Sequence, residues 1–130
     1  MKYAILIYGN EEMDPADEAI LAEYMALSER ETTFGGAELD GPSTATTIRV
    51  RDGQTLATDG PFAETKEVLG GLYLIDVPNL DDAIEFAAAV PAARRGGSVE
   101  IRPLVTRVDS AEWADSEAAG LAGDGSGAQH

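Results

Sequence analysis

The segment LYLIDVPNLDDAIEFAAAV, residues 72–90, decides the fold class because it joins a two-sided strand to a capped helix. LYLIDV is apolar on both alternating sets of side chains, which is typical of a strand covered on both faces. Asn79 is a favourable N-cap, and Asp82 follows three residues later, where an acid stabilises a helix start. The side chains expected to face inward are Leu80, Ala83, Ile84 and Ala87. The segment therefore predicts a strand followed by a helix that packs on a sheet.

The N-terminal part of the chain repeats this strand–helix order. KYAILIY, residues 2–8, is again apolar on both alternating sets. In the following MDPADEAILAEYMAL, Asp14 as N-cap, Pro15 at the first helical position and Asp17 at the third predict a helix start. The expected apolar stripe consists of Ile20, Leu21, Tyr24 and Leu27. The helix is predicted to end near TTFGG, residues 32–36, because glycines can adopt positive φ there.

Two further strand signals complete the plan. In TATTIRVRDGQTLAT, Asp52-Gly53 lies between β-rich segments and suits a two-residue type I′ turn. Thr46, Ile48 and Val50 are predicted on one face of this hairpin. SVEIRPLV, residues 98–105, is the last predicted strand, and its Pro103 indicates an edge position or a bulge.

The resulting order is strand, helix, hairpin, strand, helix and strand. This is an α+β class, the ferredoxin-like split βαβ plan with an extra hairpin. Two helices cover only one face of the sheet, whereas both two-sided strands need cover on two faces. The simplest cover for the second face is another copy of the same sheet, so the sequence predicts a two-fold homodimer.

Composition limits the classes of function. The chain has 130 residues, a net charge of −15 and no cysteine, so disulfides, thiolate metal sites and cysteine nucleophiles are excluded. Residues 1–108 are predicted to form one domain, and the acidic segment 109–130 a disordered tail. An acidic chain repels phosphate backbones, which argues against direct nucleic-acid binding. No apolar run has membrane-spanning length and no signal peptide is evident, so cytoplasmic residence is expected.

The most unusual connection is LATDGPFAETKEVLGG, residues 56–71, since joining two strands takes only about two to five residues. Pro61 fixes its own φ and favours an extended Gly60, so Asp59 stands on a rigid turn. Beside the apolar Phe62, Asp59 is a candidate general base, because burial makes a carboxylate more basic. The alternative is that Asp59 caps a short helix at 63–67 or closes an Asx turn.

Several other side chains are candidates for ligand contact. Lys66 could hold an anion or act as an amine nucleophile, or it could be a solvated residue between Glu64 and Glu67. Tyr8 could line a cleft or pack in the core, and Arg102 could neutralise a ligand carboxylate. The predicted ligand-binding set is Tyr8, Gly60, Pro61, Phe62, Glu64, Lys66 and Arg102. No metal site and no cofactor are predicted, since no histidine accompanies the clustered aspartates.

Three stretches carry a resemblance to a known family: MKYAILIYG, STATTIRVRDG, and TDGPFAETKEVLGGLYLIDVPNLDDAIEFAAAVPAARRGGSVEIRPL. From Met1 to about Val105 the chain resembles the DGPF branch of the YCII-related proteins. The resemblance implies a dimeric α+β barrel built from ferredoxin-like protomers. A lyase-like activity on small ring compounds is associated with part of the wider family. Some members of the branch are linked to sigma-factor-type transcription initiators.

The chain departs from this family in two places. The chemistry proposed for the wider family uses a His–Asp pair, but the only histidine here is His130, at the end of the tail. The connection SERETTFGGAELDGPS is also short for the branch. Two functions therefore stay open: a small-molecule-binding protein with lyase-type activity and Asp59 as base, or a non-catalytic interaction or ligand-sensing module associated with a sigma-factor-type initiator.

Overall fold

The computed structural model describes residues 1–9, 17–60 and 67–105, and these form an α+β domain. Its helices and strands are β1 (Lys2–Gly9), α1 (Glu18–Ser28), β2 (Thr33–Glu38), β3 (Thr46–Arg51), β4 (Gln54–Asp59), β5 (Val68–Asp76), α2 (Leu80–Ala88), α3 (Pro91–Arg94) and β6 (Ser98–Pro103). A 3-10 turn at Pro42–Thr44 precedes β3. The predicted tail at 109–130 lies outside the described residues.

Four strands form an antiparallel sheet in the order β2-β5-β1-β6, and β3 pairs with β4 in a separate two-stranded sheet. The two strands that the sequence marks as apolar on both sides, β1 and β5, occupy the centre. Pro103 ends an edge strand, where its missing N–H costs no ladder hydrogen bond. The topology is compatible with the predicted ferredoxin-like fold.

The core lies between the helices and one face of this sheet. Tyr3, Ile5 and Ile7 alternate with less buried neighbours along β1, and each is less than a tenth exposed. From the helix layer Phe86 packs edge-on against Tyr73, with 5.4 Å between ring centroids. The hydroxyl of Tyr73 donates to the backbone oxygen of Tyr24 at 2.7 Å, and burial raises the pKa of Tyr73 to about 12. This phenol therefore stays protonated as a fixed donor in the core.

The start and end of α1 differ from the prediction. Asp17 is the N-cap, because its carboxylate accepts hydrogen bonds from the backbone N–H groups of Ala19 and Ile20. Asp14 and Pro15 lie outside the described residues. The helix ends at Ser28, several residues before the glycines expected to stop it. Leu21, predicted to face inward, is 48% exposed.

The segment expected to end α1 instead forms β2, which the sequence analysis missed. In the sequence, Gly35 and Gly36 are typical of a helix end, but neither has a positive φ. A Cβ on Gly36 would lie only 2.7 Å from the backbone oxygen of Leu72, so glycine lets β2 approach β5 closely. The need for a small residue comes from this tertiary pairing, which local patterns do not reveal.

The second helix and the hairpin follow their local signals closely. Asn79 caps α2 by accepting from the N–H of Asp82 at 3.0 Å, as predicted. Ala83 and Ala87 are buried as expected, but Leu80 and Ile84 are about half exposed, because Phe86 and Val90 complete the inward stripe instead. In the hairpin, Asp52 and Gly53 have φ values of 51° and 77°, which confirms the two-residue type I′ turn.

Candidate functional site

The loop that the sequence singles out belongs to a long excursion between β2 and β5. The N–H of Leu39, just after β2, donates to the oxygen of Gly70 at 2.9 Å. The chain then leaves the sheet, forms the β3–β4 hairpin and returns at Val68. Both ends of the excursion are therefore fixed at one end of the sheet, the end where β1 finishes.

Backbone hydrogen bonds hold Asp59 at the base of the hairpin. It is the last residue of β4, opposite Thr46, and its side chain is exposed. The following Gly60 donates its N–H to the oxygen of Ala45 at 2.7 Å and accepts from the Thr47 hydroxyl at 2.8 Å. Its φ of 102° is open to glycine but strained for other residues, so glycine suits this position. Pro61, which is expected to stiffen the turn, lies outside the described residues.

The Asp59 carboxylate is open to solvent. Within the described ranges 1–9, 17–60 and 67–105, no other segment of the chain encloses it. Within these ranges the carboxylate accepts no hydrogen bond from another residue. The predicted helix at 63–67 falls largely outside them, so the proposed cap cannot be placed. Four candidate ligand residues also lie outside the described residues: Pro61, Phe62, Glu64 and Lys66.

The far end of the loop is anchored to the end of the sheet. The hydroxyl of Ser98, the first residue of β6, donates to the carboxylate of Glu67 at 2.7 Å. Ser98 lies opposite Tyr8, which follows an irregularity in the β1–β5 pairing. Tyr8 is half-buried and lies on the side of β1 away from the helices. This tyrosine therefore stands on the uncovered side of the sheet, beside the returning loop.

That uncovered side, here named the open face, is apolar at its centre. Its apolar residues are Ala4 and Leu6 of β1 and Leu72 and Leu74 of β5, paired directly across the two strands. All four are only partly buried, and no described helix covers them. Phe34 of β2 adds a ring under the Lys2 ammonium, 5.9 Å from its centroid. Sequence patterns missed Phe34 because they missed its strand.

Arg102 lies at the opposite end of the open face from Tyr8. Arg102 pairs with Ala4 across β1 and β6 and is exposed. Arg102 lies four residues along β6 from Ser98, which pairs with Tyr8. This spacing corresponds to about 13 Å along the strand. Lys2 lies near Arg102 and pairs with Asp76 at 3.6 Å. The Met1 ammonium, which donates to Asp76, lowers the pKa of this carboxyl, and Lys2 adds to the shift.

Among the candidates that the structure describes, Tyr8, Asp59 and Arg102 are therefore not grouped within one chain. Tyr8 and Arg102 share the open face but occupy its two ends. Asp59 belongs to a hairpin that makes no extended contact with any other helix or strand of the described part of the chain.

Comparison with known proteins identifies the family. The family model described as the YCII-related domain matches residues 1–113. The chain belongs to the YCII-related family. It is also 40% identical over 114 residues to an uncharacterized protein of Rhizobium meliloti (strain 1021), an overlap covering 80% of this chain and 92% of that protein. The family resemblance inferred from the sequence is thus confirmed, and neither comparison assigns an activity.

Within the described residues of this YCII-related domain, two other features add no competing site. A shallow groove of about 370 Å³ lies beside α2, but its Arg30 already pairs with Glu85 at 3.1 Å and stacks over the Phe86 ring. Among residues 1–9, 17–60 and 67–105, no three metal-ligating side chains are grouped. No helix in these ranges has the length and apolarity needed to cross a membrane.

Proposed function

We propose that this YCII-related protein belongs to the DGPF branch, forms a homodimer and binds a small molecule in a cleft beside the loop at residues 58–67. Asp59 acts as general base in a lyase-type reaction on that molecule. The protein works in the cytoplasm, binds no nucleic acid directly and does not enter a membrane.

The rigid setting of Asp59 is the observation that carries this proposal. A general base must be held within hydrogen-bonding distance of the proton that it removes. The two hydrogen bonds to Gly60 fix the residue next to Asp59 against Ala45 and Thr47. Functional side chains commonly stand on loops that a rigid scaffold presents in this way. A long loop that begins with a carboxylate on a hydrogen-bonded stretch of backbone is better explained by ligand chemistry than by strand connection alone.

The open face supports the homodimer. Leu6 and Leu72 face each other across β1 and β5 at the centre of an apolar surface that no described helix covers. Two such faces stacked about 10 Å apart would form a dimeric α+β barrel with an apolar interior. Such a barrel provides the enclosed, water-poor space that small-molecule sites require.

The open face carries two acidic residues, Asp76 and Glu100, beside its two basic ones, Lys2 and Arg102. Arg102 is its candidate contact for an anionic ligand. Arg102 has no carboxylate partner within the described residues, whereas Lys2 is engaged with Asp76. In a chain of net charge −15, an unpaired arginine beside an apolar surface is a local site of attraction for an anion. A small carboxylate with an apolar body would match both features, and Phe62 and Lys66 are further candidate contacts. Tyr8 lies about 13 Å from Arg102 along the face, so it would reach the same ligand only from the second chain.

A second candidate is a non-catalytic ligand-sensing module associated with a sigma-factor-type transcription initiator. The position of the only histidine favours it, because His130 stands at the far end of the chain and outside the described residues. The His–Asp pair proposed for the wider family has no counterpart in residues 1–105. A sensing module would keep the homodimer and the cleft but perform no proton transfer.

Substitutions of Asp59 distinguish the lyase-type enzyme from the non-catalytic sensing module. Asp59→Asn keeps the shape of the side chain and removes its basicity, so we expect nearly unchanged melting and complete loss of turnover. Small ring carboxylic acids, selected by the rise in melting temperature that they cause in the wild type, serve as probes. If Asp59 only forms a turn, Asn should replace it well and Asp59→Ala should cost about 0.5–2 kcal/mol. Normal turnover by the Asn variant would end the general-base proposal, and a wild type that binds without turnover would favour the sensing module.

A further inference from the structure

The β3–β4 hairpin, here named the arm, stands apart from the rest of the chain. All of its strand residues except Thr47 are exposed, and Ile48 and Val50 are 55% and 65% exposed. The arm makes no extended contact with another helix or strand within the described ranges. An isolated two-stranded hairpin is only marginally stable in water. The arm therefore needs a surface to pack against that a single described chain does not provide.

The pairing register gives the arm two different faces. One face carries Thr46, Ile48, Val50, Thr55, Ala57 and Asp59. The opposite face carries Thr47, Arg49, Arg51, Gln54, Leu56 and Thr58. The first is largely β-branched and apolar, whereas the second bears both arginines. The first face is the one suited to burial, and Asp59 lies at its base.

The length and the attachment of the arm indicate which surface it reaches. Strands of six residues extend about 20 Å, whereas facing sheets stack only about 10 Å apart. The arm starts at the end of the sheet, since Leu39 and Val68 flank the excursion there. If a second copy covers the open face, the arm is long enough to cross the gap and to overlie that copy by about 10 Å.

The net charge of the arm also favours a second copy of this chain as its partner. The arm contains two arginines and two aspartates and is neutral, whereas the whole chain carries −15. Two acidic bodies repel each other, so a neutral segment is the part that approaches a second copy at the lowest electrostatic cost. The face that remains outward in such a complex carries Arg49 and Arg51, close to the acidic surface of both chains.

We propose that the arm crosses to a second copy of this chain, buries its Ile48/Val50 face there and thereby encloses Asp59 between the two chains. The candidate site is then completed only by dimerisation. This inference rests on the homodimer of the proposed function and is independent of whether Asp59 is catalytic.

Thiol reactivity tests the inference, because the chain has no cysteine and single cysteines can be placed cleanly. Ala57→Cys and Thr58→Cys place a thiol at neighbouring positions on opposite faces of β4. With a disulfide reagent such as dithiobis(nitrobenzoate), we expect the thiol at 57 to react at least about tenfold more slowly than that at 58 in the dimer. On dilution to monomer the two rates should become equal.

Each other outcome contradicts a specific part of the proposal. Equal rates in a protein that sediments as a dimer would overturn the crossing arm while leaving the homodimer intact. Protection of position 57 that persists in the monomer would show that the arm packs on its own chain. A protein that stays monomeric at every concentration would overturn both the arm and the homodimer. Circular dichroism and melting of both variants, compared with the wild type, establish that the strands still form.

Discussion

Replacing Gly97 with alanine should lower the melting temperature by about 10–20 °C, which corresponds to about 3 kcal/mol of unfolding free energy. A Cβ at this position would overlap the backbone oxygen of Tyr8 and lie 3.2 Å from both the oxygen of Ala92 and the Cα of Gly9. All three neighbours are backbone atoms, which cannot rotate away. The N–H of Gly97 is also bonded to Ala92, so the residue cannot withdraw.

A second glycine provides the matched control for this change. Gly41 has a φ of −60°, and an added Cβ there would meet nothing within 4 Å. Gly41→Ala should therefore be neutral or stabilise the fold by up to about 1 kcal/mol, by restricting the unfolded chain. Thermal melting followed by circular dichroism compares the two variants. Similar melting temperatures would mean that the packing of β6 against the end of β1 is looser than described, and that Tyr8 is not fixed beside the loop.

Replacing Leu72 with aspartate should dissociate the dimer, raising its dissociation constant on the order of a hundredfold or more. Leu72 lies at the centre of the open face, between Leu6 of β1 and Ala37 of β2. Dimerisation would bury one unpaired carboxylate per chain, and an uncompensated buried charge costs about 3–5 kcal/mol. Each 1.4 kcal/mol changes the constant about tenfold. The monomer itself should stay folded, because the side chain points away from the helix-covered core.

Leu80→Asp is the matched control, since it makes the same chemical change on the helix side of the sheet. Leu80 is 51% exposed in the first turn of α2, where a carboxylate interacts favourably with the helix dipole. This variant should remain a dimer. Sedimentation equilibrium at micromolar concentration, with circular dichroism to establish folding, distinguishes the two. A Leu72→Asp protein that is folded and dimeric would place the interface elsewhere.

Elements with strong local chemistry could be predicted from the sequence. The Asp52-Gly53 turn needs positive φ at two successive residues, a requirement that these residue types meet by themselves. The Asn79 cap likewise depends only on a side chain and the backbone three residues away. The two-sided apolar pattern predicts both β1 and β5 as strands, and the structure places them at the centre of the sheet.

Features that depend on long-range contact could not be predicted. The glycines of β2 resemble a helix terminator until their close approach to β5 is known, and Phe34 was missed together with that strand. In α2, the inward position of Phe86 depends on the location of Tyr73 and not on helical spacing alone. Local propensity gives no information on such pairings, since they are set by tertiary packing.

The candidate site also combines features that local sequence predicts with features that depend on tertiary contacts. The position of Asp59 beside a rigid turn follows from Gly60 and its neighbours. The separation of Tyr8 from Arg102 follows from the β1–β6 register, which only the folded sheet defines. The isolation of the arm from the other described elements is likewise a tertiary property, and it is the basis of the proposal that two chains complete the site.

Sedimentation equilibrium of the unsubstituted 130-residue chain tests most directly the central claim that one chain is half of the functional unit. At micromolar concentration we predict a single species of about twice the chain mass of 13.6 kDa. A folded species of 13.6 kDa at all concentrations would contradict the account, because the open face and the arm would then both remain uncovered.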